Sequence, residues 1–376
     1  MNIAILTHPL RNNYGGLLQN YALQMILNEL GHTPITLDYT PRNQYNITKK
    51  ILSIIKRLIL KAKGERISWR GWQTAKEMAF ISKNTKGFIH SYIKTTEPFY
   101  LDNIANILPR NIDAIIVGSD QVWNPNYAKP IEKFYLSDFT NFKGKRIAYA
   151  ASFGTEDWLY NDNETTICSK LLSEFDGISV RELSGIDFVR KKFSQKASLV
   201  LDPTLLIEKK YYEEIAKHSD IVFSKETMMC YVLDKSLQKD QIINKASKHL
   251  GLEAVQIMPK ANFNEVGPRG LDSCIFPSVE DWLKGFIDSK FVITDSFHGT
   301  VFAIIFNKPF ISILNRERGA DRFYSLLDAL GLSDRLITSN DDLSKIIDKS
   351  IDFNTVNNIL YKEKIKSINF LTQSLC

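Results

Sequence analysis

The sequence predicts an α/β protein built as two Rossmann-like domains facing a cleft, and three observations predict it. Short apolar, β-prone runs alternate with helix-length segments, which is the βαβ grammar of a parallel sheet. The 376 residues exceed the roughly 250 to 300 at which a single core stops growing. The alternation then restarts after Asp202-Pro203-Thr204, where proline bars the preceding residue from helix and fixes a change of direction. The expected division is an N-terminal domain over 1–197, a second over 198–350, and a C-terminal helix in 351–376 that returns to brace the first.

Residues 3–6 read as the first strand, followed by a loop through Gly15 and Gly16, a helix over 17–30 and a strand over 35–37. Further strands are expected at 114–117, 146–150 and 178–180, the last running into Arg181 and a helix over 182–192. After 199–201 the second cycle supplies strands at 229–233, 254–257, 291–294 and 310–314, with helices at 239–250 and 279–287. An apolar-periodic stretch at 356–371 is the candidate returning helix.

Apolar residues at 44% and charged residues at 24% are ordinary for a globular protein, so the whole chain is expected to fold. Cys168, Cys230, Cys274 and Cys376 show neither C-x-x-C spacing nor a paired framework, which points away from zinc and disulfides and towards a reducing compartment. The N-terminus lacks the pattern of a secretory leader, and no run approaches the roughly 18 apolar residues of a membrane span, so the expected location is cytoplasmic. A net charge of +6 is modest for this length and does not point to nucleic acid.

One segment is more biased. Over 47–63, Ile47, Ile51, Ile54, Ile55, Leu58, Ile59 and Ala62 recur at helical spacing, while Lys49, Lys50, Lys56, Arg57, Lys61 and Lys63 fill most other positions without an acid. Two readings fit this basic amphipathic helix: a peripheral contact with the anionic inner face of the cytoplasmic membrane, or a stripe packed on the domain core with a solvated basic face. Core packing is the simpler expectation.

The most informative stretch is FVITDSFHGTVFAIIFNKPF, 291–310. A four-residue apolar strand meets the capping side chains Asp295 and Ser296, and a helix over 299–306 stops before Pro309. His298 therefore lies beside free backbone N–H groups that favour an anion, where an imidazole is suited to pass a proton to a bound anionic substrate; helix capping alone is the other reading. Arg181, leaving a strand at its carboxyl end, offers a guanidinium that grips carboxylate or phosphate bidentately. Arg316, Arg318 and Arg322 group around Gly319, with Glu317 and Asp321 among them. Gly15 and Gly16 allow close backbone approach to a ligand, and Asn13 and Gln19 carry groups that hydrogen-bond sugar hydroxyls. In the turn after 114–117, Asp120 is placed to deprotonate an acceptor, Gln121 to bind it and Trp123 to stack on a sugar face; a turn cap for Asp120 and core packing for Trp123 are the other readings.

Several of these pieces recur as a set: Asn13-Tyr14-Gly15-Gly16-Leu17-Leu18-Gln19, Val117-Gly118-Ser119-Asp120-Gln121-Val122-Trp123-Asn124, Tyr149-Ala150-Ala151-Ser152-Phe153-Gly154, Ser179-Val180-Arg181-Glu182, Leu201-Asp202-Pro203-Thr204 and Thr294-Asp295-Ser296-Phe297-His298-Gly299. Together, over residues 3–330, they resemble the polysaccharide pyruvyl transferase family. The resemblance implies a GT-B-like fold and transfer of a pyruvyl group from phosphoenolpyruvate to a sugar of a capsule or exopolysaccharide, or of its lipid-linked precursor. It implies a pyruvate ketal and released phosphate as products, with phosphoenolpyruvate as co-substrate and neither a metal nor another cofactor. It makes His298 catalytic, with Asp120 as a second candidate. Arg181, Ser296, Gly299, Arg318 and Arg322 then face the donor, and Asn13, Tyr14, Gly15, Gly16, Gln19, Gln121 and Trp123 the acceptor. Some members carry an arginine two residues before the histidine, where this chain has Ser296; Arg316, Arg318 and Arg322 are the replacements at hand, an ordinary charged loop being the equal alternative. The rival readings are a GT-B nucleotide-sugar glycosyltransferase and a non-catalytic glycan-carrier-binding protein of a capsule assembly complex.

Overall fold

The computed structural model describes residues 1–40, 47–65, 67–224, 226–338 and 342–376; the side chains of Ile47, Lys49, Asn103, Ala105 and Asn106 also lie outside the description. The strands are β1 (Asn2–Leu6), β2 (Thr33–Thr36), β3 (Tyr39–Thr40), β4 (Phe99–Tyr100), β5 (Ala114–Val117), β6 (Lys145–Ala151) and β7 (Gly177–Val180). They continue with β8 (Ser198–Leu199), β9 (Thr227–Tyr231), β10 (Glu253–Val255), β11 (Phe291–Thr294), β12 (Phe310–Ile313) and β13 (Leu336–Ile337). Every pairing is parallel: one sheet runs β2-β1-β5-β6-β7-β8, a second runs β10-β9-β11-β12-β13, and β3 pairs with β4 alone. The central strands Ala114–Val117, Phe291–Thr294 and Phe310–Ile313 are buried at every position, as strands covered on both faces must be.

The helices that matter below are α1 (Tyr14–Glu29), α2 (Ile47–Ala62), α3 (Leu183–Phe193), α4 (Val279–Asp288), α5 (Phe297–Ile305), α6 (Asp321–Ala329) and α7 (Phe353–Leu375). Apolar side chains from α1 on the first sheet and from α4 and α5 on the second merge into one continuous core. Tyr14 joins the halves directly: its ring stacks on Trp282 at 5.4 Å and its hydroxyl donates to the Pro277 carbonyl at 2.8 Å. After the second sheet, α7 returns to the first, where the Ser367 hydroxyl accepts the Leu201 N–H at 2.9 Å and Ser374 closes against Gly177.

Two helix starts differ from the sequence reading. Helix α1 begins at Tyr14, so Gly15 and Gly16 belong to its first turn and not to a preceding loop. Helix α5 begins at Phe297, capped by Ser296, so His298 sits within the first turn. The core-packing expectation for α2 is also corrected. Its anchored side is made by Arg57, which donates to the Ser68 carbonyl at 3.0 Å and to Asn264 Oδ1 at 2.8 Å, leaving the apolar stripe facing outwards. Among the described residues no helix is long and apolar enough to cross a membrane.

Candidate active site

The carboxyl ends of both sheets meet, as expected for ligand sites in open parallel sheets. From the first sheet come Thr7 and His8 after β1, the 118–121 turn after β5, Ser152 to Gly154 after β6, and Arg181 and Glu182 after β7. The second sheet supplies Ser296, Phe297 and His298 after β11, and Asn315 to Arg322 after β12.

Arg181 forms the centre of this cluster and is buried. One end donates to Asp202 at 2.6 Å, the other to Asp120 at 3.1 Å, and the guanidinium lies 4.8 Å from the Phe297 ring. Asp202 is fully enclosed: one oxygen accepts from the Thr204 N–H and hydroxyl, the other from the Ser119 hydroxyl and Arg181. That second oxygen lies 3.6 Å from His298 Nε2. Burial alone would raise the Asp202 carboxyl, but His298 and Arg181 outweigh it and hold it well below the usual range.

Asp120 is likewise held low, burial being overcome by Arg181, His8 and His298. It sits at φ 77°, in the left-handed region, where its carboxylate accepts its neighbour Gln121's N–H at 2.9 Å and Asn13 Nδ2 at 3.0 Å. Those bonds and the ion pair to Arg181 keep it there.

Arg322, on the first turn of α6, stacks on the same Phe297 ring at 5.3 Å and hydrogen-bonds the Arg318 carbonyl. Its nearest carboxylate, Asp120, is 3.9 Å away. Burial and the neighbouring Arg181 charge pull this guanidinium down to about 10: it is a buried cation short of negative charge. Four buried nitrogens of the cluster have no hydrogen-bond partner, namely Arg181 Nε, Arg322 Nε, His298 Nε2 and His8 Nε2. Arg70, Arg146 and Arg335 elsewhere in the protein also have a buried, unpaired Nε, so what distinguishes the cluster is Arg322, a buried guanidinium with no carboxylate closer than 3.9 Å among the described residues.

The backbone of α1 completes the wall. A Cβ built on Gly15 would lie 2.0 Å from His298 Nδ1 and 2.2 Å from its Cγ, so only glycine lets the imidazole occupy its place. With Nε2 turned towards Asp202, Gly15 is what borders the other ring nitrogen.

Several expected ligand contacts are absorbed by the fold. Trp123 is buried, stacked on Tyr135 at 5.0 Å with its N–H given to the Phe134 carbonyl, so no sugar reaches its face. Gln19 is buried and donates to Thr7 and to the Gly16 carbonyl. Tyr14 is spent on the contact between the halves, and Gly16 faces the Asn13 side chain. Gln121 Oε1 accepts from Asn124, and Gly154 packs on the same side chain. Gly299 lets α5 close on Thr294, since a Cβ there would lie 2.1 Å from its hydroxyl oxygen. The Ser296 hydroxyl caps α5 by accepting the Gly299 N–H at 3.4 Å. Arg318 points to Asp234, giving it two bonds of 2.5 and 2.7 Å that, ahead of burial, hold this carboxyl low. Arg181 has both ends committed to Asp202 and Asp120.

Three members of the cluster escape the sequence reading. Asp202 reads as a hinge, yet it is the partner of His298. Glu182 is fully buried, raised by desolvation, and accepts the Phe153 and Gly154 N–H groups. His8 follows β1 and is kept towards its neutral form by burial. Position at the carboxyl end of a strand is the signal that marks Glu182 and His8.

A family model described as polysaccharide pyruvyl transferase matches residues 13–317. The fold is similar to that of UDP-N-acetylglucosamine 2-epimerase from Rickettsia bellii, with a TM-score of 0.51 at 12% identity, covering 99% of this chain and 97% of that one. It is equally similar to Arabidopsis thaliana UGT89C1 complexed with UDP, with a TM-score of 0.51 at 10% identity and 100% of both chains covered. No curated protein matches the chain significantly in sequence. Likeness at these identities describes architecture, the two-domain Rossmann-like arrangement of GT-B proteins.

Proposed function

The chain belongs to the polysaccharide pyruvyl transferase family, and from that premise we propose that it moves a pyruvyl group from phosphoenolpyruvate to a sugar of a cell-surface polysaccharide or its lipid-linked precursor, forming a pyruvate ketal. The observation that carries this reading is a buried guanidinium, Arg322, 3.9 Å from its nearest carboxylate and short of negative charge, in the cluster that holds His298 and Asp202. An anionic group of phosphoenolpyruvate would supply the charge that Arg322 lacks, which makes Arg322 the principal donor contact, with Arg181 committed to Asp202 and Asp120.

In the proposed reaction, the Gly15 backbone seats the imidazole, the Asp202 carboxylate 3.6 Å from Nε2 offers a counter-charge to its protonated form, and His298 transfers the proton. His298 gives a proton to the methylene carbon of phosphoenolpyruvate, the double-bond pair forming the new C–H bond and leaving an oxocarbenium-like centre beside the carboxylate. One sugar hydroxyl adds, phosphate leaves, and the second hydroxyl closes the ketal. Of the two hydroxyl protons one restores His298 and the other departs with phosphate. Asp120, held low by three partners, acts by fixing Arg181 more than by taking a proton.

For the acceptor we assign a cleft of about 1220 Å³ between the 67–78 segment and the loops after β9 and β10. It offers Trp72 and Tyr100 as aromatic faces, Gln73 and Asn262 as hydrogen-bonding amides, and Asp234 on its inner wall. Asn315 links Asp234 to Asp295, one residue before the cap of α5, which ties the cleft to the segment carrying His298.

Calorimetric titration with phosphoenolpyruvate beside a panel of nucleotide sugars tests the donor assignment without knowledge of the acceptor. Selective phosphoenolpyruvate binding is expected. Binding confined to a nucleotide sugar would move the protein to the glycosyltransferases and overturn the reading.

A further inference from the structure

Helix α2 stands against the acceptor cleft and leaves its apolar face bare. Ile51, Leu52, Ile55, Leu58 and Ile59 are 52, 61, 49, 55 and 53% exposed, which makes this one helix the largest share of the exposed bulky apolar side chains among the described residues. A core helix hides such a stripe; this one turns these five side chains to solvent. At about 100° per residue, Ile51, Ile55, Leu58 and Ala62 fall along one line with Leu52 and Ile59 beside it. Lys56 and Lys63 lie on one flank and Lys61 on the other. No acidic residue occurs from 47 to 63.

The opposite side is fixed to the protein. Arg57 donates to Ser68, to the Asn264 carbonyl and to Asn264 Oδ1, and Lys50 lies 5.8 Å from the centre of the Trp72 ring. The helix is therefore held by its basic inner edge to residues around the cleft, Trp72 and Asn264 being two of the cleft's own walls. An apolar stripe presented outwards between lysines is the geometry of a helix lying in the interface plane of an anionic bilayer, apolar side chains among the acyl chains and ammonium groups at the headgroups.

We propose that α2 is a membrane-docking helix that seats the protein on an anionic lipid surface with the mouth of the cleft close to the bilayer. The occupant is lipid because both halves of the pattern are met at once: a protein partner for the stripe has no use for an acid-free ring of lysines, whereas a bilayer of negative headgroups uses both. Resting on the acceptor assignment above, this orientation suits a saccharide carried on a membrane lipid, whose sugar reaches into the cleft while its lipid stays in the membrane.

Co-sedimentation of the full chain with phosphatidylglycerol–phosphatidylcholine vesicles tests docking independently of turnover, so its failure and the failure of the pyruvyl transferase reading are separate results. Binding is expected to anionic vesicles and to weaken sharply on neutral phosphatidylcholine or in high salt. Each lysine near the surface contributes about fivefold, so K56Q/K61Q/K63Q is expected to lose roughly 100-fold in partitioning. I55S/L58S/I59S removes the inserted groups and is expected to abolish sedimentation with unchanged circular dichroism. No binding of the wild type to anionic vesicles, or binding that both variants retain, overturns the proposal. So does a concentration-dependent dimer in light scattering that the serine variant dissolves, since the stripe would then be covered by a second copy.

Discussion

Replacing Gly15 by alanine adds one methyl group against the ring of His298, the proposed proton donor. Its Cβ would lie 2.0 Å from Nδ1, 2.2 Å from Cγ and 2.7 Å from Cε1, against an ordinary contact of 3.4 to 4 Å. The ring must retreat by about 1.4 Å, the difference between 3.4 and 2.0, or α1 must lift from α5. The backbone at Gly15 is ordinary helix, so alanine brings no strain of its own and gains up to about 1 kcal/mol of helix propensity. Overpacking costs about 1 to 3 kcal/mol, and the net loss of stability is expected to stay under about 2 kcal/mol, leaving a folded protein. Catalysis is hit harder: a displacement of about 1 Å at a reacting group is worth on the order of 10²-fold, and complete loss of proton transfer about 10² to 10⁴-fold. The assay is phosphate release from phosphoenolpyruvate with the glycan or lipid-linked saccharide fraction of producing cells as acceptor, beside calorimetry of donor binding. Turnover is expected to drop by a factor of about 10² or more, with donor affinity kept within about threefold. Folded Gly15→Ala protein turning over at the wild-type rate would refute the reasoning that catalysis needs His298 in the seat formed by Gly15.

His298→Gln should slow turnover by about 10² to 10⁴-fold; near-normal phosphate release would remove the histidine from the chemistry. Asp202→Asn breaks a buried ion pair and should cost about 3 kcal/mol in urea unfolding at neutral pH. Because the Asp202 carboxyl lies below its unfolded value in the folded protein, its stabilisation is present in full above about pH 4 and lost as the pH falls further; the wild type should weaken below that point and Asp202→Asn should follow a flatter profile, parallel curves counting against the pairing. Arg322→Gln is expected to weaken phosphoenolpyruvate binding by about 2 kcal/mol, roughly thirtyfold, while leaving the melting temperature nearly unchanged; unaltered affinity would dismiss Arg322 as a donor contact. Tyr14→Phe should lose about 1 kcal/mol with its hydroxyl bond to Pro277, and Tyr14→Ala several times that through the emptied stack on Trp282; equal denaturation midpoints for the two would contradict this account.

Strand positions are legible because parallel strands covered on both faces are unbroken apolar runs, as in 114–117 and 291–294, and both are found there. His298 is legible for a related reason, standing where such a run gives way to a capped helix. Burial is not legible. Trp123 and Gln19 have side chains suited to sugars, and nothing local in the sequence says that Tyr135 closes over one and Thr7 occupies the other. Asp202 reads, through its neighbour Pro203, as a turn former. It does cap that turn through Thr204, but its other oxygen faces a histidine almost a hundred residues away, a contact set only when the two sheets meet. The fate of the α2 stripe is open in the same way, since periodicity reports that a face is apolar and not what lies opposite it.

The return of α7 to the first sheet bears on how such a molecule opens. The polypeptide passes from the first half to the second after Leu201, where Ser367 of α7 accepts the N–H, and comes back ahead of Phe353. The two passages act like paired door hinges: bodies joined at two points cannot slide apart or twist freely, and the easiest motion left is a swing about the line between them. Asp202 follows Leu201 directly, so the His298–Asp202 contact lies at the first passage itself. A swing of one half on the other about that line is thus compatible with an unchanged spacing between His298 and Asp202.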